Sequence, residues 1–159
     1  MALTQQVVFG VGDGEYGIDV SKVSAIEALT NVVTIPNAAS HILGIMNLRG
    51  EVLPVYSLRR KFGLEEKPVD VETKIIVTKS RGVSIAFKVD GVKEILDCND
   101  DMLQDFPDLA RGDGSEYLEK VATVKSRLIL LINEDKLIEE DEAKALTKLV
   151  EQQKSKEEK

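Results

Sequence analysis

The sequence predicts an all-β fold with few helices, on the basis of three observations. About nine short stretches rich in Val, Ile and Leu are spread along the 159 residues. Gly, Asp, Asn and Ser separate many of these stretches, as is typical of turns between strands. A sustained helical spacing of apolar residues is clear only towards the C-terminal end. Short strands joined in this way are typical of small β-barrels.

The predicted strands are short and mostly follow one another through tight turns. The glycines of Gly12-Asp13-Gly14 indicate a turn between the first two strands, which therefore form a predicted hairpin. Residues 32–36 are predicted to be extended, because the residue before a proline avoids the helical region. The strands are predicted at residues 7–11, 16–20, 45–46, 52–56, 74–78, 83–89, 92–96, 121–124 and 128–132.

Two segments after the first two strands are predicted to contain, or are compatible with, a helix. Residues 23–29 fit either a helix or a bent strand, because Val23 and Ile26 are three residues apart and also continue the pattern of the preceding strand. Asn37 is a suitable N-cap for a short helix through Ile42, which Gly44 can end. His41 falls on this predicted helix, at its surface or boundary.

Residues 44–62 contain a turn that presents an arginine. Asn47-Leu48-Arg49-Gly50 separates two apolar runs, and Gly50 adopts a positive φ at little cost. Pro54 lies in the second run and has no N–H for a sheet, so this strand is predicted to be at an edge or broken there. Arg49 is therefore expected at a sheet margin, where its planar guanidinium suits carboxylates.

The second half contains fewer special features. Residues 57–62 are predicted to form one helical turn, and the polar residues 64–72 are predicted to form a connector. Residues 97–116 are predicted to be a solvated acidic loop. An amphipathic helix is predicted from Asp135, and residues 151–159 lack apolar anchors and are expected to be disordered. Because the strands group on either side of the connector, we expect two small barrels with a shared core; whether the chain crosses between them stays open.

Composition excludes several classes of function. The 21 basic and 28 acidic residues give a net charge of −7, which argues against nucleic-acid binding. The single Cys98 and single His41 cannot complete a zinc site, and neither has a catalytic partner nearby in the sequence. No metal, cofactor or catalytic residue is therefore predicted. The sequence shows neither a signal peptide nor a membrane span, so a cytoplasmic protein without direct membrane insertion is expected.

The turn and its surroundings resemble the signature of the CheW family. Asn47-Leu48-Arg49-Gly50 precedes an apolar run with an internal proline and then Leu58-Arg59. The resemblance extends from about Gln6 to Leu149, and a single domain is expected over residues 6–150. The other matching positions are Glu15-Tyr16-Gly17-Ile18-Asp19-Val20, Val23, Pro36, Gly44, Asp90-Gly91-Val92, Tyr117-Leu118, Leu128-Ile129-Leu130-Leu131-Ile132 and Leu137.

This resemblance implies two packed SH3-like subdomains, each a five-stranded β-barrel, with short helices, a C-terminal helix and no cofactor or catalysis. It implies an adaptor that binds the regulatory domain of the histidine kinase CheA and the cytoplasmic tips of chemoreceptors, at arrays on the inner face of the membrane. The partner-binding residues that we predict are Val23, Ile26, Gly44, Asn47, Leu48, Arg49 and Gly50. We expect Val23 and Ile26 to line a groove for a receptor helix.

Three positions depart from the family pattern. Ala25 occupies a position where an acidic residue is common, and the absence of that acid removes a candidate partner for Arg49 or for a basic residue on the kinase. Ser57 occupies a position where Asp is common, and Lys120 one where Gly is common. These departures leave a second reading open, in which the chain is a paralogue that serves a different receptor-coupled kinase.

Overall fold

The alternation of apolar residues produces two β-sheets in the computed structural model, which describes residues 4–36, 41–80, 82–110, 116–138 and 148. The described residues contain eleven strands. They are β1 (Thr4–Val11), β2 (Gly14–Asp19), β3 (Val23–Ala28), β4 (Ile42–Leu48), β5 (Glu51–Ser57), β6 (Lys74–Ser80), β7 (Val83–Val89), β8 (Gly91–Cys98), β9 (Leu103–Asp105), β10 (Leu118–Val124) and β11 (Arg127–Ile132). The predicted all-β fold class is confirmed.

The chain crosses twice between the sheets. One sheet has six strands in the order β8-β1-β2-β11-β10-β9, and the other has five in the order β3-β6-β7-β5-β4. The first hairpin therefore belongs with the last strands, and the grouping of strands on either side of residues 64–72 was wrong. The crossing that the sequence left open does occur, because β8 pairs with β1 after β7 has completed the other sheet.

Three apolar clusters hold the sheets together, and strands buried on both faces contribute to two of them. In β1, Phe9 belongs to a cluster shared by both sheets, whereas Val8 belongs to the cluster of the six-stranded sheet. In β6, Ile76 contributes to the shared cluster and Ile75 to the cluster of the five-stranded sheet. This two-sided burial explains why these strands consist of apolar runs instead of alternating strictly.

Residues 23–28 form a bent strand. A short 3₁₀ helix (Val20–Lys22) leads directly into β3. The register between β3 and β6 shifts between Val23 and Ala25, which makes Ser24 the extra residue of a β-bulge. The bulge explains the spacing of three residues between Val23 and Ile26, which resembles that of a helix.

Several local predictions need correction. The strand with Pro54 is interior, between β4 and β7; its pairing with β7 begins at Val55, so the proline lies just outside that ladder. The helix predicted from Asn37 does not extend to Ile42, which begins β4, and Gly44 lies within that strand; residues 37–40 lie outside the described residues. The acidic loop contains β9, which makes the sheet six-stranded and not five-stranded.

Two short helices were predicted near their observed positions. Helix α1 (Leu58–Lys61) is capped by Ser57, whose hydroxyl accepts a hydrogen bond from the backbone of Arg60. Helix α2 (Glu134–Leu137) lies where the C-terminal helix was predicted to start, but it ends at Leu137 because Ile138 is extended. Leu137 and Ile138 are buried in the shared cluster, and the rest of the predicted helix, apart from Lys148, lies outside the described residues. The tail at residues 151–159 lies outside the described residues. Within the described ranges, no helix has the length and apolar character needed to cross a membrane.

Candidate partner-binding surfaces

The bulge in β3 places Val23 and Ile26 on the same face of the strand. Val23 lies opposite Thr78 and Ile26 opposite Ile76, and opposed residues of antiparallel strands share a face. Ile76 belongs to the cluster shared by the two sheets. Val23 packs against that cluster, whereas Ile26 is 37% exposed. We call these two residues the β3 patch; it is an apolar surface at the edge of the boundary between the sheets.

The second group of predicted residues forms the hairpin between β4 and β5. Arg49 and Gly50 are its two central residues, and both have positive φ, 52° and 88°. Positive φ at both positions is the geometry of a type I′ turn, which matches the twist of the flanking strands. The side-chain oxygen of Asn47 accepts a hydrogen bond from the backbone of Gly50 at 2.9 Å. We call residues 47–50 the Arg49 turn.

The Arg49 turn is tied to β3 by an ion pair. The guanidinium of Arg49 donates a hydrogen bond to the carboxylate of Glu27, although the Arg49 side chain remains 75% exposed. Glu27 lies opposite Ile75, which faces the cluster of the five-stranded sheet, so Glu27 points away from the face that carries Ile26. Leu48 packs partly buried against that same cluster, as does Ala25.

A close backbone contact requires glycine at position 44, which the sequence did not reveal. The backbone of Val33 exchanges two hydrogen bonds with Ile45, at 2.8 and 2.9 Å, so the segment after β3 lies along the outer edge of β4. A Cβ atom on Gly44 would lie 2.1 Å from the carbonyl oxygen of Val33. Gly44 is buried within β4, one of the two strands of the hairpin, whereas Asn47, Arg49 and Gly50 are exposed.

Gly44 is buried in β4, and the other six predicted residues form the β3 patch and the Arg49 turn, which meet at β3. The β3 patch lies on one face of that strand, and Glu27, the anchor of the Arg49 turn, lies on the other. Sequence reasoning missed Glu27 because it treated Ala25 as the lost acidic partner. Ala25 and Glu27 are two residues apart and share a face of a strand. The acidic residue at position 27 is visible in the sequence, but its place on the same face as Ala25 follows only once residues 23–28 are assigned to a strand.

A second charged link fixes the two sheets relative to each other. Arg59 donates two hydrogen bonds to the carboxylate of Asp90, both at 2.8 Å, and Asp90 also accepts one from the backbone of Gly12 at 2.8 Å. Asp90 connects β7 of one sheet to β8 of the other, and Gly12 lies in the first hairpin. Burial raises the pKa of Asp90, but these hydrogen bonds outweigh it and hold that pKa below its ordinary value.

Two of the three departures from the family pattern, Ser57 and Lys120, have different local surroundings. Ser57 is buried and donates a hydrogen bond to Glu66, whose other oxygen accepts one from Lys88 at 2.8 Å. Lys120 lies where the β10–β11 register shifts and pairs with Asp105 across β9 and β10 at 2.6 Å. Both residues belong to the framework and are not part of either candidate surface.

Cys98 and His41, the two residues considered for zinc binding or catalysis, occupy structural positions. Cys98 is fully buried at the end of β8, and burial raises the pKa of its thiol. A ring nitrogen of His41 lies 3.0 Å from the hydroxyl of Tyr56. In the described part of the chain, no three His, Cys, Asp or Glu residues are grouped so that they could hold a metal ion.

Comparison with known proteins identifies the family. The model of the CheW-like domain matches residues 5–142. The chain belongs to the CheW family. The chemotaxis protein CheW of Klebsiella aerogenes is 32% identical over 136 residues, which cover 86% of this chain and 82% of the relative. The chemotaxis protein CheW of Bacillus subtilis is 26% identical over 141 residues, which cover 89% and 90%.

A solved CheW structure also matches. The scaffolding protein TtCheW of Thermoanaerobacter tengcongensis superposes with a TM-score of 0.79 at 25% identity, over 89% of this chain and 92% of that one. The agreement covers nearly the whole of both chains. The CheW-like chain described here therefore shares both the sheets and their arrangement with a known scaffold.

Proposed function

We propose that this chain is a non-catalytic chemotaxis adaptor that couples chemoreceptor tips to the histidine kinase CheA. The family match supports the adaptor role, and relatives named chemotaxis protein CheW support the pathway. The placement of Cys98 and His41 in the framework agrees with a protein that works by binding and not by catalysis. In this role, the chain would be cytoplasmic and be recruited to receptor arrays at the inner face of the membrane.

One observation carries the proposal: the two candidate surfaces lie on opposite faces of β3. An adaptor must hold two partners at once, so it needs two surfaces that do not overlap. The β3 patch faces the boundary between the sheets, whereas the Arg49 turn lies beyond the other face. A strand shared by both surfaces also gives each partner a way to influence the other, by shifting the populations of its arrangements.

The β3 patch suits a receptor helix. Ile26 is exposed beside the apolar cluster that joins the sheets, and Val23 continues this surface inward. An amphipathic helix that lies along such a boundary buries its apolar stripe and leaves its polar face in water. The proposed occupant of this patch is therefore the helical tip of a chemoreceptor.

The Arg49 turn suits the regulatory domain of CheA. Its turn geometry fixes the backbone of Arg49, and the ion pair with Glu27 orients the guanidinium while most of the side chain stays exposed. A pre-oriented arginine loses little conformational freedom when a partner carboxylate binds. Gly44 and Leu48 contribute by fixing the position of the hairpin, Gly44 through close contact with the backbone of Val33 and Leu48 through packing on the cluster of the five-stranded sheet.

Two single substitutions test this division. Arg49→Ala is expected to weaken binding of the CheA regulatory domain by about tenfold, because a charge-assisted hydrogen bond is lost. Ile26→Glu is expected to weaken binding of a receptor tip by a similar factor, because it places a charge on the apolar patch. Calorimetric titration of each variant against each partner measures both effects.

Matched controls separate a specific effect from a general one. Lys136→Ala removes an exposed positive charge from α2, and Leu128→Glu charges an exposed apolar side chain in the six-stranded sheet. Both controls are expected to bind like the unmodified chain. If Arg49→Ala instead lowers the thermal midpoint strongly and leaves both affinities intact, the arginine is structural and the proposal for the turn fails.

The alternative is a paralogue that serves a different receptor-coupled kinase. Ala25 favours it, because an acidic residue common in the family is absent there and the site faces the hydrophobic cluster. In that case, the chain binds a receptor tip but not CheA. Glu27 supplies the carboxylate beside Arg49, which favours the main proposal.

A further inference from the structure

A cleft lies away from both the β3 patch and the Arg49 turn. It forms where the connector (residues 64–73), the first hairpin and the crossing from β7 to β8 meet, and it has a volume of about 610 Å³. Clefts of roughly 300–1,000 Å³ are typical of small-molecule sites. None of the seven predicted partner-binding residues lines it.

The cleft collects positive charge in an acidic protein. Three lysines line it, Lys67, Lys74 and Lys93, against two carboxylates, Glu72 and Asp90. The Asp90 carboxylate is already neutralised by both hydrogen bonds from Arg59. Lysines therefore outnumber carboxylates in the lining by three to two, in a chain whose net charge is −7.

The three ammonium groups have weak internal partners. Lys67 lies 3.5 Å from Asp70, and Lys93 lies 3.5 Å from Glu15, which Arg127 already engages at 2.6 Å. Lys74 donates its hydrogen bond to a neutral backbone carbonyl, that of Val71. Each lysine therefore retains most of its ability to bind an added anion.

We propose that this cleft binds the polyphosphate group of a small molecule. A phosphate group carries more than one negative charge and several acceptor oxygens, which three flexible ammonium groups can share. The planar arginine fork that best fits a single carboxylate is absent, because Arg59 is held by Asp90.

Titration of the full chain with inorganic pyrophosphate at constant ionic strength tests the proposal, with backbone amide NMR shifts as the readout. Saturable shifts are expected at Gly10, Gly12 and Gly91. Lys93→Gln and Lys67→Gln are each expected to weaken binding about tenfold, the equivalent of one charge-assisted hydrogen bond. Lys120→Gln removes a lysine from outside the cleft and is expected to have no effect.

Three results would overturn the proposal. They are no saturable shift up to about 10 mM pyrophosphate, an equal loss of affinity in Lys120→Gln, and tighter binding of an acidic peptide than of pyrophosphate. A parallel titration with ATP identifies the source: tighter binding than pyrophosphate assigns a nucleotide, and equal binding assigns the phosphate groups alone. The titration does not depend on receptor or kinase binding. It therefore tests the proposed cleft site independently of the adaptor proposal.

Discussion

At the scale of single residues, Thr78 stands out beside the β3 patch. Its side chain is fully buried opposite Val23, and its hydroxyl has no hydrogen-bond partner among the described residues. A buried hydroxyl without a partner costs free energy, since its bonds to water are lost and not replaced. Thr78 therefore lowers the stability of the core next to a proposed binding surface.

Replacing this hydroxyl is expected to stabilise the fold. Thr78→Val keeps the shape of the side chain and removes the unpaired group, so the free energy of unfolding should rise by about 1 kcal/mol. Urea denaturation measures the change. Thr78→Ala is the matched control and should be less stable than Thr78→Val, because it leaves a cavity. Destabilisation by Thr78→Val would indicate a hydrogen bond to the hydroxyl, for example through water.

Gly44 is expected to tolerate no side chain. The Cβ of Gly44→Ala would overlap the carbonyl oxygen of Val33, so the backbone bridge between Val33 and Ile45 must open. We expect a loss of about 2 kcal/mol or more in unfolding free energy, together with weaker kinase binding. Gly50→Ala is a useful comparison, because its φ of 88° strains an alanine although nothing lies within 4 Å of the added Cβ, so it should cost less stability than Gly44→Ala. Equal stability of Gly44→Ala and the unmodified chain would contradict the structure.

At the scale of elements, the link between Arg59 and Asp90 joins α1 to the β7–β8 crossing. Both side chains are less than one-fifth exposed, at 19% and 16%. Removing one partner of such a pair leaves the other charge buried and uncompensated. The packing of α1 and the first hairpin against the β7–β8 crossing then depends on a single carboxylate that accepts three hydrogen bonds.

Asp90→Asn should reveal this dependence through pH. At pH 7 we expect a loss of about 2–4 kcal/mol. Because the pKa of Asp90 is lowered by folding, its contribution to stability is fully present above about pH 4 and is lost as pH falls through the folded pKa. The stability difference between the two proteins should therefore shrink as the pH falls below about 4. Urea unfolding across this range measures it, and a difference independent of pH would contradict the assignment.

At the scale of the whole molecule, the shared cluster couples the two sheets. Leu53 is buried in the cluster of the five-stranded sheet, and Cys98 is buried in that of the six-stranded sheet. Between them lies the cluster to which both sheets contribute, including Phe9 and Phe87. We therefore expect the sheets to unfold together and not one after the other.

Labelling of Cys98 by a thiol reagent tests this coupling. Leu53→Ala should destabilise the fold by about 2 kcal/mol or more, which corresponds to about thirtyfold faster labelling of a cysteine in the other sheet. Val69→Ala, at an exposed apolar position, should leave the rate unchanged. An unchanged Cys98 rate in Leu53→Ala would show that the sheets open independently.

The sequence predicts strands well here and predicts their pairing poorly. Turn residues such as Gly12 and Gly50 act locally, so the hairpins that they form are visible in the sequence. The pairing of β11 with β2 joins residues more than a hundred positions apart, which no local pattern records. For the same reason, the turn around Arg49 was predictable, whereas its partner Glu27 depended on recognising a bulged strand.

The double crossing also constrains how the chain can fold during its synthesis. The five-stranded sheet is built from one continuous segment, β3 to β7, and can form as soon as that segment leaves the ribosome. The β1–β2 hairpin must wait for β11, which ends at Ile132. At about 5–20 residues per second, this wait lasts several seconds. During that time, the hairpin exposes the apolar side chains that later face both clusters, which makes it the segment of the nascent chain most in need of a chaperone.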